Sequence, residues 1–177
     1  MTKKAQRIVI FGNSGAGKST LARVRADALK CPHVDLDTLA WEEGVVPPTR
    51  RSLSESERAL RPLLEAEENP SWVVEGCYAD LLELVLPAST ELIFLNPGVE
   101  ACIRNARGRP FEPHKYPSKE AQDANLEMLV GWIARYPERD DEFSLSAHRR
   151  LFDGYAGPKS ELTSNTRTHG QTGAERE

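Results

Sequence analysis

Cysteine, basic excess and long apolar runs are all scarce in this sequence, and each scarcity excludes something. The three cysteines, Cys31, Cys77 and Cys102, are odd in number and widely spaced, with no CxxC pair. They fit neither a disulfide framework nor a zinc site, and reduced thiols in a cytoplasmic protein are the expectation. Lys plus Arg number 23 against 27 Asp plus Glu, a net charge of −4. That balance argues against general binding to nucleic acid or anionic membranes. No apolar run approaches the roughly 18–20 residues of a transmembrane helix. Behind the charged start Met1-Thr2-Lys3-Lys4, the apolar stretch Ile8 to Phe11 is four residues long and reads as a buried strand, not a signal peptide. Histidines 33, 114, 148 and 169 form no metal-spaced pair, and no G-x-S-x-G, HExxH or Cys/His cluster occurs. What is present suffices for one domain: 177 residues, 39% hydrophobic and 28% charged.

Strands and helices alternate along the first hundred residues. Arg7 to Phe11 is a continuously apolar strand, followed by a glycine-rich turn and a helix from Lys18 to Leu29 with a stripe of Leu21, Val24 and Ala28, stopped by Pro32. His33 to Asp37 reads as a second strand with polar residues at its C-terminal end. A loop spans Trp41 to Arg51, and Ser54-Glu55-Ser56-Glu57 offers a capping box for a helix bent or restarted at Pro62 and ended by Asn69-Pro70. Trp72-Val73-Val74 and Glu91 to Leu95 are further strands. Asn96-Pro97 supplies an N-cap and first-turn proline for a helix through Arg107. An amphipathic helix starts at Ser118, with Ala121, Met128, Leu129, Trp132 and Tyr136 on one side. Residues 148–152 suit a fifth strand or a helix equally, and 163–177, with Ala174 as their one apolar side chain, are expected to be a solvated or disordered tail. The pattern predicts an α/β fold, a three-layer α/β/α parallel sheet whose ligands bind at the C-terminal edge.

The sharpest motif is Gly12-Asn13-Ser14-Gly15-Ala16-Gly17-Lys18-Ser19-Thr20, which meets every fixed position of G-x-x-x-x-G-K-[ST] between a strand and a helix. Glycines let successive backbone N–H groups turn inward around a phosphate, and the helix N-terminus adds partial positive charge. Lys18 can reach the β- and γ-phosphates, and the Ser19 hydroxyl can ligate Mg²⁺. The motif predicts binding of a nucleoside triphosphate. It does not say what is done with it.

Ile8 to Ala22 (IVIFGNSGAGKSTLA), then Pro32 to Asp37 (PHVDLD), then Trp72 to Gly76 (WVVEG), resemble the small P-loop kinases. That group holds adenylate kinase and other nucleoside monophosphate kinases, shikimate kinase and gluconate kinase. The nearest likeness within it is to the adenylate-kinase-like proteins often called topology modulation proteins. The resemblance runs through roughly the first 110 residues and implies a P-loop NTPase fold of the nucleoside monophosphate kinase type. It implies ATP and Mg²⁺ as cofactors and a small-molecule phosphoryl acceptor as partner.

Asp35 and Asp37 match the D-x-D of shikimate-kinase-like enzymes, which implies a water-mediated metal role for Asp35 and a hydrogen bond from the acceptor hydroxyl for Asp37. Acids at i and i+2 of a strand share a side, and a carboxylate there can orient a hydroxyl or take its proton. The competing reading makes Asp37 a cap and Asp35 a solvated acid. Glu75 matches the acid that holds Mg²⁺ through water in nucleoside monophosphate kinases. Cys77-Tyr78-Ala79 replaces the Phe-Pro-Arg that helps bind AMP there, which argues against an AMP kinase proper. Arg104, Arg107 and Arg109 match an arginine-bearing helix and lid near 104–117. Arg107 and Arg109 would stabilise the transferring phosphoryl and Arg104 would contact the nucleotide; a solvated basic face is the alternative. Trp41 and Tyr78 lie in loops at the ligand edge where they can stack on a base or sugar, whereas Trp132 is expected in the core. A kinase-like domain over 1–162 follows, transferring the γ-phosphoryl of MgATP to a nucleoside, nucleotide or hydroxyl-bearing metabolite. The alternative is an ATP-binding or ATP-hydrolysing regulatory protein with a macromolecular partner.

Overall fold

The computed structural model of the chain describes residues 4–45, 47–66, 71–113 and 116–164. Five strands form one all-parallel sheet in the order β2-β3-β1-β4-β5: β1 Arg7–Gly12, β2 His33–Asp35, β3 Trp72–Gly76, β4 Glu91–Leu95 and β5 Lys159–Leu162. The helices are α1 Lys18–Leu29, α2 Asp37–Ala40, α3 Leu53–Leu64, α4 Ala79–Val85, α5 Val99–Arg107, α6 Lys119–Ala134 and α7 Leu145–Gly154. A single 3₁₀ turn, Leu86–Ala88, follows α4.

Side chains alternate across each strand, so the continuous apolar runs bury both faces. Val9, Phe11, Val74, Leu92 and Phe94 pack with Leu81, Leu82, Ala147 and Leu151 of α4 and α7. Ile8, Ile10, Val73, Ile93 and Leu95 pack with Ala22 and Ala26 of α1, Cys102 and Ala106 of α5 and Ile133 of α6. Ile8 and Ile10 are wholly buried, so truncating either to Ala costs roughly 2–5 kcal/mol. The expected stripe on α1 is displaced: Val24 is 60% exposed, and the small Ala22 and Ala26 face the sheet.

Several boundaries depart from the sequence reading. Asp37 is not in β2; the strand ends at Asp35 and the chain turns at once into the single-turn helix α2, so strand alternation does not place the two acids. The capping box forms earlier than expected, between Ser52 and Glu55, and α3 runs through Pro62. Asn69 and Pro70 lie outside the described residues. Gly98, at φ 89°, precedes α5 in place of an Asn96 cap. On α6 the buried residue is Ile133, while Met128 is 63% exposed and Tyr136 lies beyond the helix. Residues 148–152 are helical, and the fifth strand is Lys159–Leu162, a polar edge strand without an apolar signature. Most of the expected tail, 165–177, lies outside the described residues, as do His114 and His169.

The register brings the chemistry together. Phe11 pairs with Gly76, Ile10 with Glu75, and Glu75 with Asp35. The end of β1, and therefore the loop after it, stands beside Glu75 and then Asp35 along one sheet edge.

Candidate active site

Gly12, Gly15 and Gly17 all have positive φ, at 149°, 77° and 96°. A Cβ on Gly12 would stand 2.2 Å from the Leu95 carbonyl oxygen, and one on Gly15 would stand 2.3 Å from that of Cys102. Only glycine fits the turn, and the tight fit seats the loop on β4 and α5. Gly17 caps α1 without a side chain, which leaves the first amides of the helix open to a ligand. Lys18 Nζ donates to the Asn13 carbonyl at 2.9 Å, across the loop it opens from. This is a cradle shaped for phosphate.

Two asparagines tie the loop to the helices on either side of residues 108–118. Asn13 is buried, and its Nδ2 donates to the Ile133 carbonyl of α6 at 3.2 Å while its Oδ1 accepts from Ser14 N at 2.8 Å. Asn105 Nδ2 of α5 donates to the Gly15 carbonyl at 2.8 Å. The sequence reading missed Asn105, which carries no motif of its own.

Glu75 is 2% exposed, and its Oε1 has no hydrogen-bond partner; His33 Nε2 lies 3.8 Å away and is likewise unpartnered. Burial opposes its charge, but the neighbouring His33, Lys18 and Ser19 outweigh it and hold the carboxyl below the usual carboxylate range. A charged, buried carboxylate with an orphan oxygen beside Lys18 and Ser19 fits a divalent cation carried by a phosphate ligand. Among the described residues, no group of three or more His, Cys, Asp or Glu could hold a metal alone.

Asp37 is reached by two bonds that hold it in place. Its backbone N–H donates to Asp35 Oδ1 at 2.9 Å, and its Oδ1 accepts from the Tyr78 hydroxyl at 2.6 Å. Trp41 Nε1 donates to that same hydroxyl at 2.8 Å. Burial first, then the Cys77 and Asp37 neighbours, pushes the Tyr78 hydroxyl far above its ordinary value, so it stays a donor. Beneath it, His148 is fully buried: Nε2 faces the Cys77 carbonyl at 2.8 Å, so Nδ1 is the acceptor for the Tyr136 hydroxyl at 2.7 Å. Burial holds its pKa down to about 4. Burial also pushes the Cys77 thiol up to about 12, which leaves it without nucleophilic character.

The arginines stand apart. Arg104 and Arg107 lie in α5 and are exposed; Arg107 pairs with Glu127 at 3.7 Å, and Arg109 with Glu112 at 3.3 Å. Trp72 is core, at 1% exposure, and Trp132 packs in part against the α1-side core while Arg139 stacks on its ring at 4.0 Å. Arg50, absent from the sequence reading, sits over the Tyr78 ring at 4.6 Å. No single-sequence signal marks it; only the fold sets it beside Tyr78.

No family model matches the chain, and no curated protein matches it. Solved structures do. One, a Thermus thermophilus protein, is 17% identical over 92% of this chain and 91% of its own, with a TM-score of 0.52. A sugar kinase from a Janibacter species is 12% identical over 90% and 85%, with a TM-score of 0.50. A shikimate kinase from Acinetobacter baumannii is 19% identical over 84% and 92%, with a TM-score of 0.42. The likeness to the Thermus thermophilus protein and the Janibacter sugar kinase extends to the α/β fold, a parallel sheet with helices on both faces. Among the described residues no helix is long and apolar enough to cross a membrane.

Proposed function

We propose that the protein is a small-molecule kinase, moving the γ-phosphoryl of MgATP to an acceptor bound on the Asp37 side of the sheet edge. One observation carries the reading: a phosphate cradle and a buried, charged, partly orphaned carboxylate share an edge with an acid oriented from two directions. The loop amides of residues 12–20 and Lys18 would hold the β- and γ-phosphates, and Arg104 would reach the nucleotide only on closure over it. Ser19, with Glu75 and Asp35 through water, would hold Mg²⁺, which when bound neutralises charge on the phosphate oxygens. Asp37, fixed by Tyr78 and its own backbone bond, would accept the hydrogen bond and then the proton of the acceptor hydroxyl. Residues 104–117 would act as a lid, with Arg107 and Arg109 leaving their acid partners to meet developing charge on the phosphoryl.

The test is acceptor-dependent ADP release from MgATP over a panel of nucleosides, nucleotides and polyols. Release that rises with at least one acceptor supports the kinase. Turnover indifferent to every acceptor would place the protein with ATP-hydrolysing regulators of macromolecular partners.

A further inference from the structure

The loop after α2 closes on a phenol. Its two ends, Trp41 and Arg50, meet in an antiparallel backbone bridge. Glu42 N donates to the Thr49 carbonyl and Arg51 N to the Ala40 carbonyl, each at 2.9 Å, on either side of that bridge. Both side chains then converge on Tyr78. The Trp41 indole N–H donates to its hydroxyl at 2.8 Å, and the Arg50 guanidinium lies 4.6 Å from its ring centroid. Arg50 is itself held, its Nη2 donating to both oxygens of Asp80 at 2.8 and 3.1 Å. Phe143 meets the same ring edge-on, with centroids 5.1 Å apart.

The direction of the bonds follows from the groups themselves. An indole N–H can only donate, and a carboxylate can only accept. With Trp41 donating to the Tyr78 oxygen, the phenolic proton has to point elsewhere. Asp37 Oδ1 is 2.6 Å away, inside the range of a charge-assisted O–H···O⁻ bond. The chain therefore runs one way, from Trp41 through Tyr78 to Asp37. A hydroxyl that accepts a bond donates more strongly, so Trp41 strengthens a bond it does not touch. Burial keeps the Tyr78 proton in place. Asp37 needs such support, because it opens a helix of four residues, too short to be stable by itself.

By its place in the sequence Trp41 is a candidate to stack on a base or sugar; the fold gives its N–H a different task. We propose that Trp41 is a positioning residue for Asp37, acting through the Tyr78 hydroxyl to fix the carboxylate that receives the acceptor's proton. The proposal rests on the phosphotransfer reading and adds to it a residue that acts at one remove from the reacting atoms.

The test uses an acceptor that raises ADP release from MgATP by the wild type. Trp41→Phe keeps an aromatic face and loses the N–H; Tyr78→Phe keeps the ring beside Arg50 and loses the hydroxyl. Trp41→Phe should lower kcat about fivefold and Tyr78→Phe about tenfold or more, with the acceptor KM within about twofold of wild type. In the double variant the loss should equal that of Tyr78→Phe alone, because Trp41 has nothing left to act through. A raised acceptor KM at unchanged kcat in Trp41→Phe makes Trp41 a stacking residue. Losses that multiply in the double variant make it a packing residue, and a Trp41→Phe enzyme equal to wild type gives it no part in the reaction. Each of these overturns the proposal and leaves the kinase standing. If no acceptor raises ADP release, the kinase reading has failed, and NMR decides the relay. The Trp41 indole N–H signal, identified by its absence from Trp41→Phe, should move and exchange with solvent about tenfold faster in Tyr78→Phe, and should move in Asp37→Asn as well. Movement in both variants upholds the relay; a signal unmoved in either overturns it.

Discussion

The two halves of the candidate site are built in opposite ways. The proposed nucleotide half is nine consecutive residues, Gly12 to Thr20, and would act mainly through backbone amides whose direction is set by three glycines. The proposed acceptor half gathers Asp37, Trp41, Arg50 and Tyr78 from separate loops and helices, side chains held by one another. Backbone geometry is a local property, so the first half can be read from its spacing. Side-chain constellations exist only after folding, so the second can diverge between proteins of one fold. That is where substrate choice is expected to reside.

The comparison can be broken hardest at Lys18. Lys18→Ala removes the one cationic side chain of residues 12–20, and MgATP-dependent activity should fall by about 10³ or more with the melting temperature little changed. Retained kcat would mean the loop is not the nucleotide half at all. Asp37→Asn probes the other half: kcat should fall by roughly 10²–10⁴ while ATP affinity, measured by calorimetry, stays near wild type. Loss of ATP binding in Asp37→Asn would merge the two halves into one.

The scaffold below them gives a smaller, pH-dependent effect. His148 titrates at about 4 in the fold against an ordinary 6.5, so between those values the unfolded chain binds more protons than the folded one. Stability contributed by the neutral imidazole is therefore intact above about pH 6.5 and lost as pH falls, by roughly 2 kcal/mol at pH 5 and about 3 at pH 4. Urea midpoints of wild type and His148→Gln at pH 7 and 5 check this: the wild type should lose more than the variant on acidification. An equal slope would remove His148 as the anchor of the Cys77–Tyr78 turn. Smallest is the lid. Arg109→Ala should lower kcat about tenfold with a lesser effect on ATP binding, since its present partner Glu112 must be left first. A change confined to ATP affinity would put Arg109 wholly in the nucleotide half.

Legibility followed the same division. β1, α1 and β4 were apparent because continuous apolar runs and the glycine loop are local signals. β5 was not, because Lys159-Ser160-Glu161-Leu162 is an exposed polar edge held by pairing with β4 and by Arg149 on Glu161. The candidate acids Asp35, Asp37 and Glu75 could be named from resemblance and strand ends. The bond that fixes Asp37 joins residues 41 positions apart, and no periodicity reports that.

By itself, the sequence determined that a glycine-rich loop joins a buried strand to a helix, because that requirement is written in glycines and apolar residues a few positions apart. Tertiary structure alone decided what faces that loop. The register of β2, β3 and β1 sets Glu75 beside Lys18, and the packing of α4, α6 and α7 turns Arg50 and Arg139 onto acids of their own chain. The physical reason is range: backbone conformation is dictated by neighbours in sequence, while charge compensation and side-chain hydrogen bonds are dictated by neighbours in space.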